Sequence, residues 1–143
     1  MLDPTAKLHH IGFVVPSIPE AAERLARSLG GVWDERIIHV PEQRVRISFV
    51  HGLTPDQPLL ELVQPTEAKS PVAAFLKSSG GLHHLCYEVV DLPAEVEHAG
   101  SLGSIIVQTP VPIAFFGGRR VAWAYTRDRL LLEYLEREKG PVA

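Results

Sequence analysis

The chain has little cysteine, no long apolar run and no block of like charge, and each shortage removes a class of function. A single cysteine, Cys86, excludes an intrachain disulfide. No apolar stretch approaches the roughly 20 residues that a bilayer-spanning helix needs, and the N-terminus lacks the apolar core of a signal peptide. A reducing cytoplasm is therefore the expected location, with no membrane partner. The formal charge of −3 is spread over both signs, leaving no basic stripe for nucleic acid and no acidic tail. A small molecule is the expected partner. What remains is a chain of 143 residues, 45% hydrophobic, in the range of one domain with a real core.

That domain is internally repeated. Leu8-His9-His10 recurs as Leu82-His83-His84, and the offset that places His10 on His84 also sets Ile11 on Leu85, Val15 on Val89 and Pro19 on Pro93. The same offset sets Arg46 on Arg120 and Phe49 on Trp123. Once two residues are dropped, Leu59-Leu60-Glu61-Leu62 falls on Leu131-Leu132-Glu133-Tyr134. The repeats, residues about 7 to 65 and 81 to 136, are read as two modules of a single domain spanning 1–143.

Each module reads as β-α-β-β-β. Lys7 to Val15 is apolar and β-branched, bounded by Pro16, and reads as a strand. Ser17 can cap a helix carrying Ala22, Leu25, Ala26 and Leu29 at spacings of three and four, stopped by Gly30-Gly31. Strands are expected over Val32 to His39, Arg44 to Val50 and Leu59 to Gln64, and a short connecting helix over Pro71 to Lys77. The second module predicts a strand over Leu82 to Val89, a helix over Pro93 to Leu102, and strands at Ser104 to Gln108, Arg119 to Tyr125 and Leu130 to Leu135. Thr109 to Gly118 reads as a long loop, suited either to covering a pocket mouth or to a buried connector. The fold class is α+β.

Alternation along a strand lets one histidine of each pair point inward, but not both. Glu61 and Glu133 each stand among leucines on a strand, where a carboxylate is costly unless paired or bound to a cation. Core packing and solubility give no reason for His and Glu at matched places in both modules. Two nitrogens and two oxygens are a donor set for a divalent metal. Arg119 and Arg120, at a strand start, are candidates to grip a carboxylate or phosphate. His39, His51 and His98 read as surface residues, and Cys86, Trp33, Trp123 and Phe49 as core.

The runs Leu8-His9-His10-Ile11-Gly12, Pro41-Glu42-Gln43, Leu60-Glu61-Leu62, Ser70-Pro71-Val72-Ala73-Ala74-Phe75-Leu76 and Gly81 to Val89 resemble the vicinal oxygen chelate (glyoxalase/bleomycin resistance/dioxygenase) superfamily. Within it they most resemble the methylmalonyl-CoA epimerases. The resemblance implies two βαβββ modules about a pseudo-twofold axis, strands curling around a metal cleft, and a homodimer. It also implies one divalent ion (Co, Ni, Zn, Mn, Mg or Fe) on His10, Glu61, His84 and Glu133. Such an ion would chelate an acyl thioester through neighbouring oxygens and stabilise its enolate. Glu133 and Glu42 are then the candidate catalytic acid/base residues. A glyoxalase I-like isomerase and a non-catalytic antibiotic-binding protein are the rival readings. The chain departs from the epimerase pattern at Ile113 to Gly118, at Thr126 to Arg129, and at Arg44, where the family usually has Gly.

Overall fold

A computed structural model describes residues 1–138, in which nine strands and three α-helices form an α+β fold. The order is β1 (Lys7–Val14), α1 (Ile18–Leu29), β2 (Val32–Trp33), β3 (Ile38–Val40), β4 (Val45–His51), β5 (Leu59–Pro65) and α2 (Ala73–Ser78). It continues with β6 (Gly81–Val89), α3 (Leu92–Ser101), β7 (Ile105–Pro112), β8 (Arg120–Tyr125) and β9 (Leu131–Glu136). Among the described residues two compact units result, one being His10–His83 and the other Met1–His9 with His84 to Glu138. The divisions fall inside the two His-His pairs.

In the His10–His83 unit, β1 lies parallel to β5, and β4 runs antiparallel beside β5, with β2 and β3 on the far side of β4. Helix α1 lies over one face. Its N-cap is Ser17 and its stop is Gly30 in the left-handed region at φ 65°, where a side chain would be strained. The Ser17 side chain makes no cap hydrogen bond; instead Ile18 N–H donates to Gln64 Oε1 at 3.1 Å. Ile18, Ala21 and Ala22 pack on Val15, Val50 and Leu62, with Leu25 and Ala26 at the margin. Leu29, expected on the buried stripe, is exposed in the last turn. The single strand expected over Val32 to His39 is two short pieces, because Glu35 takes φ 63° and breaks the extended chain.

The other unit repeats the plan: β6 parallel to β9, β8 antiparallel to β9, and β7 at the edge. Asp91 caps α3 by accepting from Ala94 N–H, and the helix buries Leu92 and Ala99 against Val89, Ala122, Ala124 and Tyr134. Strand β7 runs to Pro112 with two register shifts, so Thr109 to Pro112 of the expected loop is bulged edge strand and the remainder holds a tight 3-10 turn, Ala114–Phe116. The N-terminal segment belongs here. Asp3 accepts from Val90 N–H and Asp3 N–H donates to the buried Glu95, while Arg137 grips Thr5. Burial, with the negative Glu95 second, pushes the Tyr134 phenol above its ordinary pKa.

Candidate metal centre

Strand alternation puts His10 and Gly12 on one face of β1, and the parallel register sets Gly12 opposite Glu61 on β5. The position beside Glu61 thus carries no side chain. Glu61 leans along the sheet, bringing Oε2 to 3.5 Å from His10 Nε2. The second half repeats this with one difference: Glu133 stands opposite Cys86, and its Oε1 lies 3.6 Å from His84 Nε2. All four side chains are buried, His10 at 0%, Glu61 at 6%, and His84 and Glu133 at 2% exposure.

Those separations discriminate between two readings of each pair. A good N–H···O hydrogen bond spans about 2.7–3.2 Å, shorter than either distance. Two ligands each about 2.1 Å from one divalent ion stand about 3.0–3.5 Å apart at octahedral or tetrahedral angles. Each pair is therefore spaced as adjacent ligands, and the donor set of imidazole nitrogen and carboxylate oxygen is one that divalent first-row metals take. Buried carboxylates without a compensating cation would be costly. The residues fit a metal.

The alternation left open in the sequence is decided by burial. His9 and His83 are only partly buried and turn to aromatic rings, His9 edge-on to Phe116 at 6.2 Å and His83 edge-on to Phe75 at 4.8 Å. His10 and His84 also meet rings edge-on, Phe49 at 6.1 Å and Trp123 at 4.8 Å. Phe49 and Trp123 thus each wall the histidine of their own unit. The signal was available, since the internal repeat sets Phe49 on Trp123 exactly where it sets His10 on His84.

Glu42 stands exposed on the 3-10 turn Pro41–Gln43 that joins β3 to β4. Arg44, the next residue, is held at φ 55°, a conformation Gly adopts freely, which accounts for glycine in the resembling family. Arg119 and Arg120 diverge. Arg120 forms a two-pronged pair with Glu136, Nε at 2.9 Å and Nη2 at 2.7 Å, and this carboxylate holds its guanidinium above the ordinary pKa. Arg119 Nη1 meets Glu88 at 3.2 Å.

A family model described as the glyoxalase/bleomycin resistance protein/dioxygenase superfamily matches residues 9–123. The ethylmalonyl-CoA/methylmalonyl-CoA epimerase of Cereibacter sphaeroides is 29% identical over 128 residues, 85% of this chain and 90% of that protein. The human mitochondrial methylmalonyl-CoA epimerase is 36% identical over 93 residues, 63% of this chain and 50% of that one. The chain spans about half the length of the mitochondrial relatives it matches. A methylmalonyl-CoA epimerase structure from Mycobacterium tuberculosis superposes with a TM-score of 0.76 over 92% of this chain and 88% of that chain. At 23% identity, that likeness speaks for the fold alone.

Proposed function

We propose, because the chain belongs to the glyoxalase/bleomycin resistance protein/dioxygenase superfamily, that it is a metal-dependent isomerase exchanging the α-proton of a small acyl thioester. Methylmalonyl-CoA is the leading substrate. One observation carries the reading: a buried His–Glu pair in each half at nearly the same separation, 3.5 and 3.6 Å. The epimerase names of the relatives supply the substrate class. In this reading residues 1–143 are one domain of two modules, working in the cytoplasm as a homodimer.

His10, Glu61, His84 and Glu133 are assigned to one divalent ion. Two carboxylates and two neutral imidazoles offset its charge. When bound, the ion supplies Lewis-acid polarisation of a carbonyl oxygen, which acidifies the neighbouring C–H. The chain's own part is to hold that C–H and move its proton. Inversion of a carbon requires a base on one side and a proton donor on the other. Glu133 has two carboxylate oxygens and so can serve as ligand with one and base with the other. Glu42, on an exposed turn, is assigned the second acid/base position. Trp123 and Phe49 restrict the two imidazoles and keep water from them.

The test joins metal analysis of the purified protein to deuterium incorporation into methylmalonyl-CoA in deuterated water. The expected result is one ion per chain and metal-dependent loss of the α-proton. Isomerisation of the glutathione–methylglyoxal hemithioacetal without thioester exchange would replace this reading with a glyoxalase. Binding in the absence of any turnover would make the chain a small-molecule-binding protein of the same fold.

A further inference from the structure

We infer that Arg119 recognises a phosphate on the carrier arm of the thioester, an inference that rests on the acyl-thioester reading above. The sheet face fixes its place. Trp123 is in register with Glu133 and Val121 with Leu135, so alternation carries the same face of β8 back to Arg119. On β6, His84, Cys86 and Glu88 share a face in the same way, and Arg119 Nη1 lies 3.2 Å from Glu88 Oε2. Arg119 thus stands on the face that bears His84 and Glu133.

Its guanidinium is pinned through two of its three nitrogens. Nε donates to Phe116 O at 3.1 Å, Nη1 donates to Glu88 and to Glu136 O, each at 3.2 Å, and the Phe116 ring lies 5.7 Å below. Nη2 has no acceptor among the described residues, and the side chain is 20% exposed. A fixed guanidinium thus keeps one nitrogen, Nη2, to donate a charge-assisted hydrogen bond to a phosphate oxygen.

The repeat provides an internal control. The positions matching Glu88 and Arg119 in the first half are Val14 and Val45, buried at 1% and 2%. Packing at this place is therefore satisfied by two valines, and an ion pair here answers another need. Arg120 is excluded by its place, because it lies on the opposite face of β8, where Glu136 engages its Nε and Nη2.

Distance excludes the acyl carboxylate as the group that is bound. Glu136, whose carbonyl the guanidinium touches, is three residues past Glu133, about 10 Å of strand. The carboxylate next to a thioester held at His84 and Glu133 does not reach that far. The anion must sit farther along the substrate, and a pantetheine-borne phosphate is such a group.

The experiment uses the metal-loaded protein and two readouts. Calorimetry measures binding of free coenzyme A, 4′-phosphopantetheine and phosphate-free pantetheine. Proton exchange compares methylmalonyl-CoA with the methylmalonyl ester of pantetheine. Arg119→Met is expected to weaken coenzyme A binding and raise KM for the CoA ester about ten- to hundredfold, with kcat held within about twofold and the pantetheine ester unaffected. Retained loss with 4′-phosphopantetheine places the contact at the 4′-phosphate; loss with coenzyme A alone places it at the nucleotide phosphates. Glu88→Gln removes the competing carboxylate and is expected to tighten coenzyme A binding, a gain that a purely structural role would not produce; it also decides the matter should Arg119→Met fail to fold. Arg120→Met is expected to change neither readout. Unchanged coenzyme A binding in Arg119→Met, equal loss on the pantetheine ester, or no coenzyme A binding by the wild type overturns the inference. Wild-type binding of coenzyme A without exchange of either ester defeats the isomerase reading and leaves the phosphate contact standing.

Discussion

Glu133 is the more enclosed of the two carboxylates, with Cys86 beside it where the first half has Gly12. Replacing His84 by Ala removes one nitrogen donor and leaves the strand pairing intact. The expected outcome is metal content falling well below one per chain, with an unchanged circular dichroism spectrum. Retention of a full equivalent would reject the ligand assignment. Glu133→Gln keeps an oxygen donor but no longer accepts a proton, so it should hold part of the metal and lose about a hundredfold or more of the exchange rate. Glu42→Gln should leave metal content untouched, and a fall in exchange there would assign it to proton transfer. Away from the centre, Asp3 accepts hydrogen bonds from the Thr5 hydroxyl, Val90 N–H and Thr5 N–H, which hold its carboxyl below its ordinary value near 3.8. A depressed carboxyl contributes stability in full above the ordinary value and loses it as pH falls through the folded one. Protection of the Val90 amide in hydrogen exchange should therefore drop below about pH 4, and Asp3→Asn should lower it above that pH and remove the pH dependence.

At the scale of elements, the turn Pro41–Gln43 and the helix α1 carry the clearest energetic expectations. Arg44 caps the turn at φ 55°, and its side-chain contacts to Lys69 O and Glu67 are solvent-exposed and worth little. Relief of the left-handed strain should outweigh the entropy that Gly adds to the unfolded chain, so Arg44→Gly should stabilise by about 0.5–1 kcal/mol. A lower thermal midpoint in that variant would show that the Lys69 and Glu67 contacts dominate. Leu62, fully buried against α1, should cost about 2–5 kcal/mol when cut to Ala. The same elements show which signals the sequence carries well. Helix α1 is legible because its stop is a glycine in the only conformation that demands one. Strands β2 and β3 are not, because the break lies at Glu35, whose positive φ no local residue announces. Strand β7 extends past the expected end at Gln108 because bulges let an edge strand absorb Pro110.

For the whole molecule, assigning both His–Glu pairs to a single ion makes stoichiometry and stability coupled tests. One equivalent per chain is expected; two would mean that each pair holds its own ion. A ligand bound only by the folded state stabilises it by about 2.7 kcal/mol at a hundredfold excess over Kd, so a chelator should lower the thermal midpoint, and His84→Ala should abolish that shift. No helix is long and apolar enough to cross a membrane among the described residues. The proposed homodimer is checked by sedimentation at micromolar concentration, where a monomer would remove that assignment alone. The sequence by itself determined the α+β class, the duplicated order of elements and the four side chains that stand out in it, because hydrophobic period and internal repetition are written residue by residue. Only the tertiary structure decided which histidine of each pair faces Glu61 or Glu133, that Phe49 and Trp123 wall those histidines, and that Arg119 shares a face with His84 and Glu133 while Arg120 does not. Those facts depend on which strands lie side by side and in what register, and register joins residues that the chain keeps far apart.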